Sequence, residues 1–152
     1  MSEEPYLRDL IADVLDACTE DHCLLAWIAA DIQQAAPRLT DGEVKCVTMA
    51  ILKSLLEAGL IQMGVPDGSA FHREDASPEE TLRRIDDHWG LPIDDADDVQ
   101  YSLWVSATPS GEAVARGETD DAVLDHVASA ANMALRVDGC TRPPVFRPGE
   151  SP

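Results

Sequence analysis

Cys18-Thr19-Glu20-Asp21-His22-Cys23 is the one stretch where soft ligands gather, two thiols and an imidazole within six residues. A structural zinc site needs four such donors, usually in two pairs, because the ion is held tetrahedrally by nitrogen and sulfur. No second pair stands elsewhere in the chain. Cys18 continues the apolar spacing of a first helix and Cys23 opens that of a second, so both read as small core residues rather than ligands. Cys46 and Cys140 have no histidine at ligand spacing and read the same way. Four scattered cysteines in a chain able to build its own core predict reduced thiols.

Asp86, Asp87, Asp94, Asp95, Asp97 and Asp98 offer oxygen atoms to a hard cation, yet the run lacks the alternating ligands and central glycine of a calcium loop. A solvated acidic face, able to meet a basic protein, is the reading it supports. His22, His72, His88 and His126 are dispersed, and the chain contains no Gly-x-Ser-x-Gly, Walker loop or dinucleotide fingerprint. The expectation is a protein that is not an enzyme and uses neither metal nor cofactor. Three tryptophans remain, and aromatic residues anchor interfaces out of proportion to their number. Trp27 reads as core. Trp104 falls on the polar face of its strand, so it either packs against Leu82, Ile85 or Trp89, the favoured reading, or stands out as an anchor for a partner.

The charge balance sharpens the choice of partner. The 152 residues carry 11 Lys and Arg against 29 Asp and Glu, a formal net charge of −18. A field of that sign repels phosphate backbones and anionic membranes and draws in basic proteins. The N-terminal MSEEPYLRDL has neither a basic nor an apolar signal region, and no uncharged run approaches the ~18 residues that span a bilayer, so the expected location is cytoplasmic. With 45% hydrophobic residues, the chain has the means to bury one ordinary core.

Several elements must position these residues. Leu7, Leu10, Ile11, Val14, Leu15 and Cys18 recur at helical spacing behind Pro5, predicting a helix over 5–18. Asp21 or Thr19 can cap a second helix over about 22–35, which Pro37 closes. Thr40 and Glu43 have the spacing of a capping box, and Val44, Val47, Ile51, Leu52 and Leu55 follow as an apolar face up to Gly59, predicting a helix over 41–58. The short apolar run 60–65 reads as a strand ending in turn residues Pro66 to Ser69. Ser77-Pro78-Glu79-Glu80 starts a helix over 78–89. The alternation from Val99 to Ala107 predicts a half-buried strand. Thr108-Pro109 opens a short helix closed by Gly117, and 119–137 supply another. Residues 1–137 read as one domain and 138–152, rich in proline, as a loosely ordered tail.

Two stretches resemble the winged-helix fold. Thr40-Asp41-Gly42-Glu43-Val44 through Leu55-Leu56-Glu57-Ala58-Gly59-Leu60-Ile61 looks like a recognition helix running into the wing, and Leu103-Trp104-Val105-Ser106-Ala107-Thr108-Pro109-Ser110-Gly111-Glu112-Ala113 looks like the strand and turn that close many such domains. The resemblance covers residues 5–117 and is nearest to small acidic winged-helix-like proteins of unknown function from high-GC bacteria. It implies a mainly α fold with a small antiparallel hairpin, here with a helical insertion in the wing at 66–98 and extra C-terminal helices. A DNA-binding winged helix would read DNA with the helix over 41–58, and the bases available are Arg38, Lys45, Lys53 and Arg73. Asp41, Glu43 and Glu57 outnumber the lysines on that helix, which weakens the phosphate attraction such binding needs. The preferred expectation is therefore a protein-interaction module whose Trp89, Asp94, Asp95, Asp97, Asp98 and Trp104 meet a basic protein, in one version a nuclease-type toxin that it neutralises. The alternative is a DNA-binding regulator, with a homodimer compatible with either.

Overall fold

The computed structural model describes residues 4–20, 22–67, 70–73, 77–89, 103–119 and 122–137. The element order is α1 (Glu4–Glu20), β1 (Cys23–Leu24), α2 (Leu25–Ala35), α3 (Asp41–Glu57), β2 (Ile61–Asp67), β3 (Ala70–Arg73), α4 (Pro78–His88), β4 (Trp104–Ala107), α5 (Pro109–Ala115) and α6 (Ala122–Val137). The fold is mainly helical with a small antiparallel sheet, as the periodicities predict.

The apolar stripe of α1 is wholly buried, from Leu7 to Cys18, because its members recur every three or four residues and so share one face. It packs on α5 and α6, and Arg8 reaches Asp125 of α6 at 2.9 Å. The start of α3 is a complete capping box. Thr40 Oγ1 accepts from the Glu43 N–H at 3.2 Å, and the Glu43 carboxylate accepts from the Thr40 N–H at 2.9 Å. Behind it Val47, Ile51, Leu52 and Leu55 join one apolar core with residues of α1, α2 and β2. Thr40→Ala should lower the urea midpoint by about 1 kcal/mol of stability with an unchanged m-value, since it removes the bond that Thr40 Oγ1 accepts, keeps the backbone N–H that bonds Glu43, and takes away no buried apolar surface.

The sheet runs β1-β4-β2-β3, every neighbour antiparallel. Two strands exceed the expected hairpin. Cys23 and Leu24 pair with Val105 and Trp104, so Cys23 lies in β1 and α2 begins only at Leu25. Its N-cap is Leu24, with no side-chain cap bond, and the Thr19 hydroxyl donates back to Leu15 at 2.8 Å, so neither Thr19 nor Asp21 starts this helix. A two-residue strand is too short to show a period, and strand pairing won over local capping. The second departure is at 66–69, read as a turn. Instead β2 continues through Pro66 and Asp67, which pair with Phe71 and Ala70 of β3. Pro66 is tolerated because the pairing with β4 has ended at Gly64, leaving one side of β2 without a partner strand there.

Gly59, at φ 73°, turns the chain out of α3 into β2. Thr108 then ties the end of β4 to that turn. Its hydroxyl donates to the Gly59 carbonyl at 2.7 Å and accepts from the Gly111 N–H at 3.1 Å. Predicted boundaries elsewhere differ by a few residues, as helix ends do. The segment 99–102 of the expected strand and the tail 138–152 lie outside the described residues.

Candidate functional site

The sheet carries an aromatic outer surface. Trp104 of β4 stands directly opposite Leu24 of β1 and Gly64 of β2, and Gly64 has no side chain to compete for the space above it. The Trp104 indole is half-buried and meets Trp27 of α2 edge to face, with centroids 5.4 Å apart and planes at 82°. Trp27 is 54% exposed, so it is a surface residue and not core. The buried stripe of α2 is Leu25, Ile28 and Ile32, and Trp27 lies about 100° around the helix from Ile28. Its expected packing was a consequence of residue type overriding position.

Among the described residues the ring contact of Trp104 is with Trp27, and none joins it to Trp89. Trp89 sits half-buried at the C-cap of α4 and packs on the core. Ser106, on the same face of β4 as Trp104, is buried, and its hydroxyl lies 3.1 Å from His22 Nδ1. The His22 ring also stacks at 4.8 Å on Phe71. This surface therefore combines Trp27, Trp104, His22 and Phe71, of which sequence reasoning singled out Trp104 alone as a binding residue. Asp94, Asp95, Asp97 and Asp98 lie outside the described residues.

The four bases of the alternative reading are not assembled on a free helix face. Lys45 is bound to the inserted helix, its Nζ 2.8 Å from Asp86 Oδ1 and donating to the Asp86 carbonyl at 3.0 Å. Packing by α2, α4, α6 and β2 covers most of α3. Gly42, Lys53 and Glu57 are its exposed residues among those whose side chains are described. One cation, one anion and a glycine make a poor phosphate reader. Arg38 is exposed beyond the end of α2, and Arg73 ends β3.

The cysteines divide into two kinds. Cys18 and Cys23 are free, and their thiols hydrogen-bond across the junction of α1 and β1. That bond, then burial, then the neighbouring Cys23 charge push the Cys18 thiol well above its ordinary range. Among the described residues no group of three or more His, Cys, Asp or Glu is placed to hold a metal ion. Cys46, in contrast, is disulfide-bonded, to a partner outside the described residues. This corrects the expectation of reduced thiols throughout, because sequence spacing carries no signal for a pair brought together by folding.

A thiol that stays protonated in the folded chain gives a direct check. Cys18 should resist iodoacetamide at alkaline pH and be alkylated only on unfolding, as read by peptide mass spectrometry. The unfolded thiol ionises near pH 8.5 while the folded one does not, so stability should fall as pH rises past that value. Alkylation of native Cys18 at the rate of a free thiol would contradict its placement.

No protein-family model, curated protein or solved structure matches the chain. No helix among the described residues is long and apolar enough to cross a membrane.

Proposed function

We propose that the protein is a winged-helix-like interaction module, without catalytic activity of its own, that binds a basic protein through the aromatic surface of its sheet together with the acidic residues Asp94, Asp95, Asp97 and Asp98. The observation that carries this reading is the Trp27–Trp104 pair, an exposed indole braced edge-on by a half-buried one. Tryptophans held in place lose little entropy on binding, which is why they serve as anchors.

The net charge of −18 supplies the complement to a basic partner and the long-range attraction that speeds encounter. The order helix, strand, two helices, strand, with β1 and β2 flanking β4, supports the winged-helix reading. Strand β3 and helix α4 then form the insertion, and α6 is an addition that, with α4, covers the helix a DNA reader would expose. The clamp of Lys45 on Asp86 weighs against the DNA-binding alternative for the same reason. The cytoplasmic setting expected from the sequence has the Cys46 disulfide against it, since such bonds are rare in the cytosol.

The test is affinity capture from nuclease-treated lysate at low salt, run in parallel with wild type, Trp27→Ala, and a variant with Asp94, Asp95, Asp97 and Asp98 all changed to Asn. A stoichiometric basic protein retained by wild type, lost from both variants, and associating more slowly as salt rises is the expected result. Retention by both variants would overturn the assignment of this surface. Salt-sensitive binding to random duplex DNA, abolished by changing Lys53 and Arg73, would transfer the function to nucleic acid.

A further inference from the structure

A second site lies where the end of α3, the start of β2, the end of β3 and the first turn of α4 meet. The cleft there has a volume of about 240 Å³. Leu56, Ile61, Met63 and Pro78 give it an apolar floor, and Arg73 and Thr81 contribute polar groups. Among the described residues that line it there is no aromatic side chain and no carboxylate, and the one charged residue is a cation, Arg73. Glu57, Glu79 and Glu80 are near in sequence but exposed, where water and salt screen them.

Thr81 marks the cleft as a built site rather than a packing gap. The residue is 3% exposed and lines the cleft, and its hydroxyl, which has no hydrogen bond among the described residues and is not one of the fully buried unmatched groups, opens on the cleft. The other buried helical hydroxyls behave differently. Thr48 donates to the Val44 carbonyl at 2.7 Å and Ser54 to the Ile51 carbonyl at 2.9 Å. A hydroxyl that has no protein partner and opens on a cleft is free to donate to, or accept from, whatever fills that cleft.

We propose that this cleft binds a small aliphatic carboxylate, its anionic end on the Arg73 guanidinium and the Thr81 hydroxyl, its hydrocarbon body on Leu56, Ile61, Met63 and Pro78. A guanidinium presents paired donors that match a carboxylate, and a hydroxyl donates to the same group. The volume is below the roughly 300–1,000 Å³ of sites for drug-sized ligands, which limits the occupant to a short or single-ring body. An aliphatic one is favoured because Leu56, Ile61, Met63 and Pro78 are themselves aliphatic and the guanidinium is taken up by the carboxylate. The site is separate from the tryptophan pair and does not depend on the protein-binding proposal.

The experiment is a nitrogen-15 NMR titration of the full chain with cyclohexanecarboxylate, and with the neutral cyclohexanecarboxamide for comparison. Saturable shifts confined to the amides of Leu56, Gly59, Ile61, Met63 and Thr81 are expected, with a Kd on the order of 1 mM for so small a ligand. Arg73→Gln and the carboxamide should each weaken binding by about tenfold. Thr81→Val should weaken it by several-fold while folding as stably as wild type, since valine removes a hydroxyl that has no protein partner among the described residues. Three results would overturn the proposal: no saturable shifts, equal affinity for acid and amide, or a wild-type response from Arg73→Gln. A destabilised Thr81→Val would do so as well, by showing that the hydroxyl already has a partner.

Discussion

Gly111→Ala should be among the most destabilising single changes in the protein, by about 3 kcal/mol or more, although it adds one methyl group to a helix. An added Cβ at Gly111 would run into the Leu60 carbonyl, with its oxygen nearest and its carbon at 2.9 Å, and would lie 3.3 Å from Leu15 Cδ1. Leu60 cannot yield, because its N–H is held by the Leu55 carbonyl at 3.0 Å and its carbonyl accepts from the Thr108 N–H at 3.0 Å. Gly111 is itself fixed by its bond to Thr108. Relief requires moving α5 away from β2, which strips the Thr108 bonds and opens the core beside Leu15. Gly42→Ala is the matched control, also a helical glycine but with nothing within 4 Å of the added Cβ. It should be neutral or stabilising by up to about 1 kcal/mol, as alanine loses less backbone entropy in a helix. Urea denaturation of the pair decides the matter, and a Gly111→Ala midpoint close to that of wild type would mean that α5 does not approach Leu60 so closely.

Neither glycine could have been ranked from the sequence, where each simply follows a helix start. What distinguishes them is a contact between residues far apart in the chain. The same division runs through the fold. The helices were legible because each carries its own signal, as Thr40 with Glu43 and Ser77 with Pro78 show through their cap bonds. β1 and β3 were not, since a two-residue strand has no period and Ala70–Arg73 acquires its identity only from pairing with β2. Of the candidate site, Trp104 was visible as the apolar exception on a polar strand face. Trp27 was recoverable too, because its angular position on α2 lies off the Leu25, Ile28, Ile32 stripe. The cleft at Thr81 had no signal, since Leu56, Arg73 and Thr81 are joined only by the turn at Gly59 and the docking of α4 on α3.

The largest functional effect is expected at Trp27, if the protein-binding proposal holds. Trp27→Ala removes a side chain more than half exposed, so its stability loss should be about 1 kcal/mol, most of it the edge-to-face contact with Trp104. Binding of the basic partner should weaken by about 2 kcal/mol or more, near 30-fold, because an anchor tryptophan loses its whole contact area at the interface. Met133→Ala separates a specific anchor from general surface apolarity. Met133 is 65% exposed on α6, a different element, and its loss should leave binding unchanged. Trp104→Ala tests the bracing role. It should weaken binding less than additively with Trp27→Ala in a double-mutant cycle, since an unbraced Trp27 has already lost part of what makes it an anchor. Strict additivity would make the two indoles independent contacts. Equal affinity of Trp27→Ala and wild type would remove the aromatic surface from the interface and leave the acidic charge as the sole basis for partner binding.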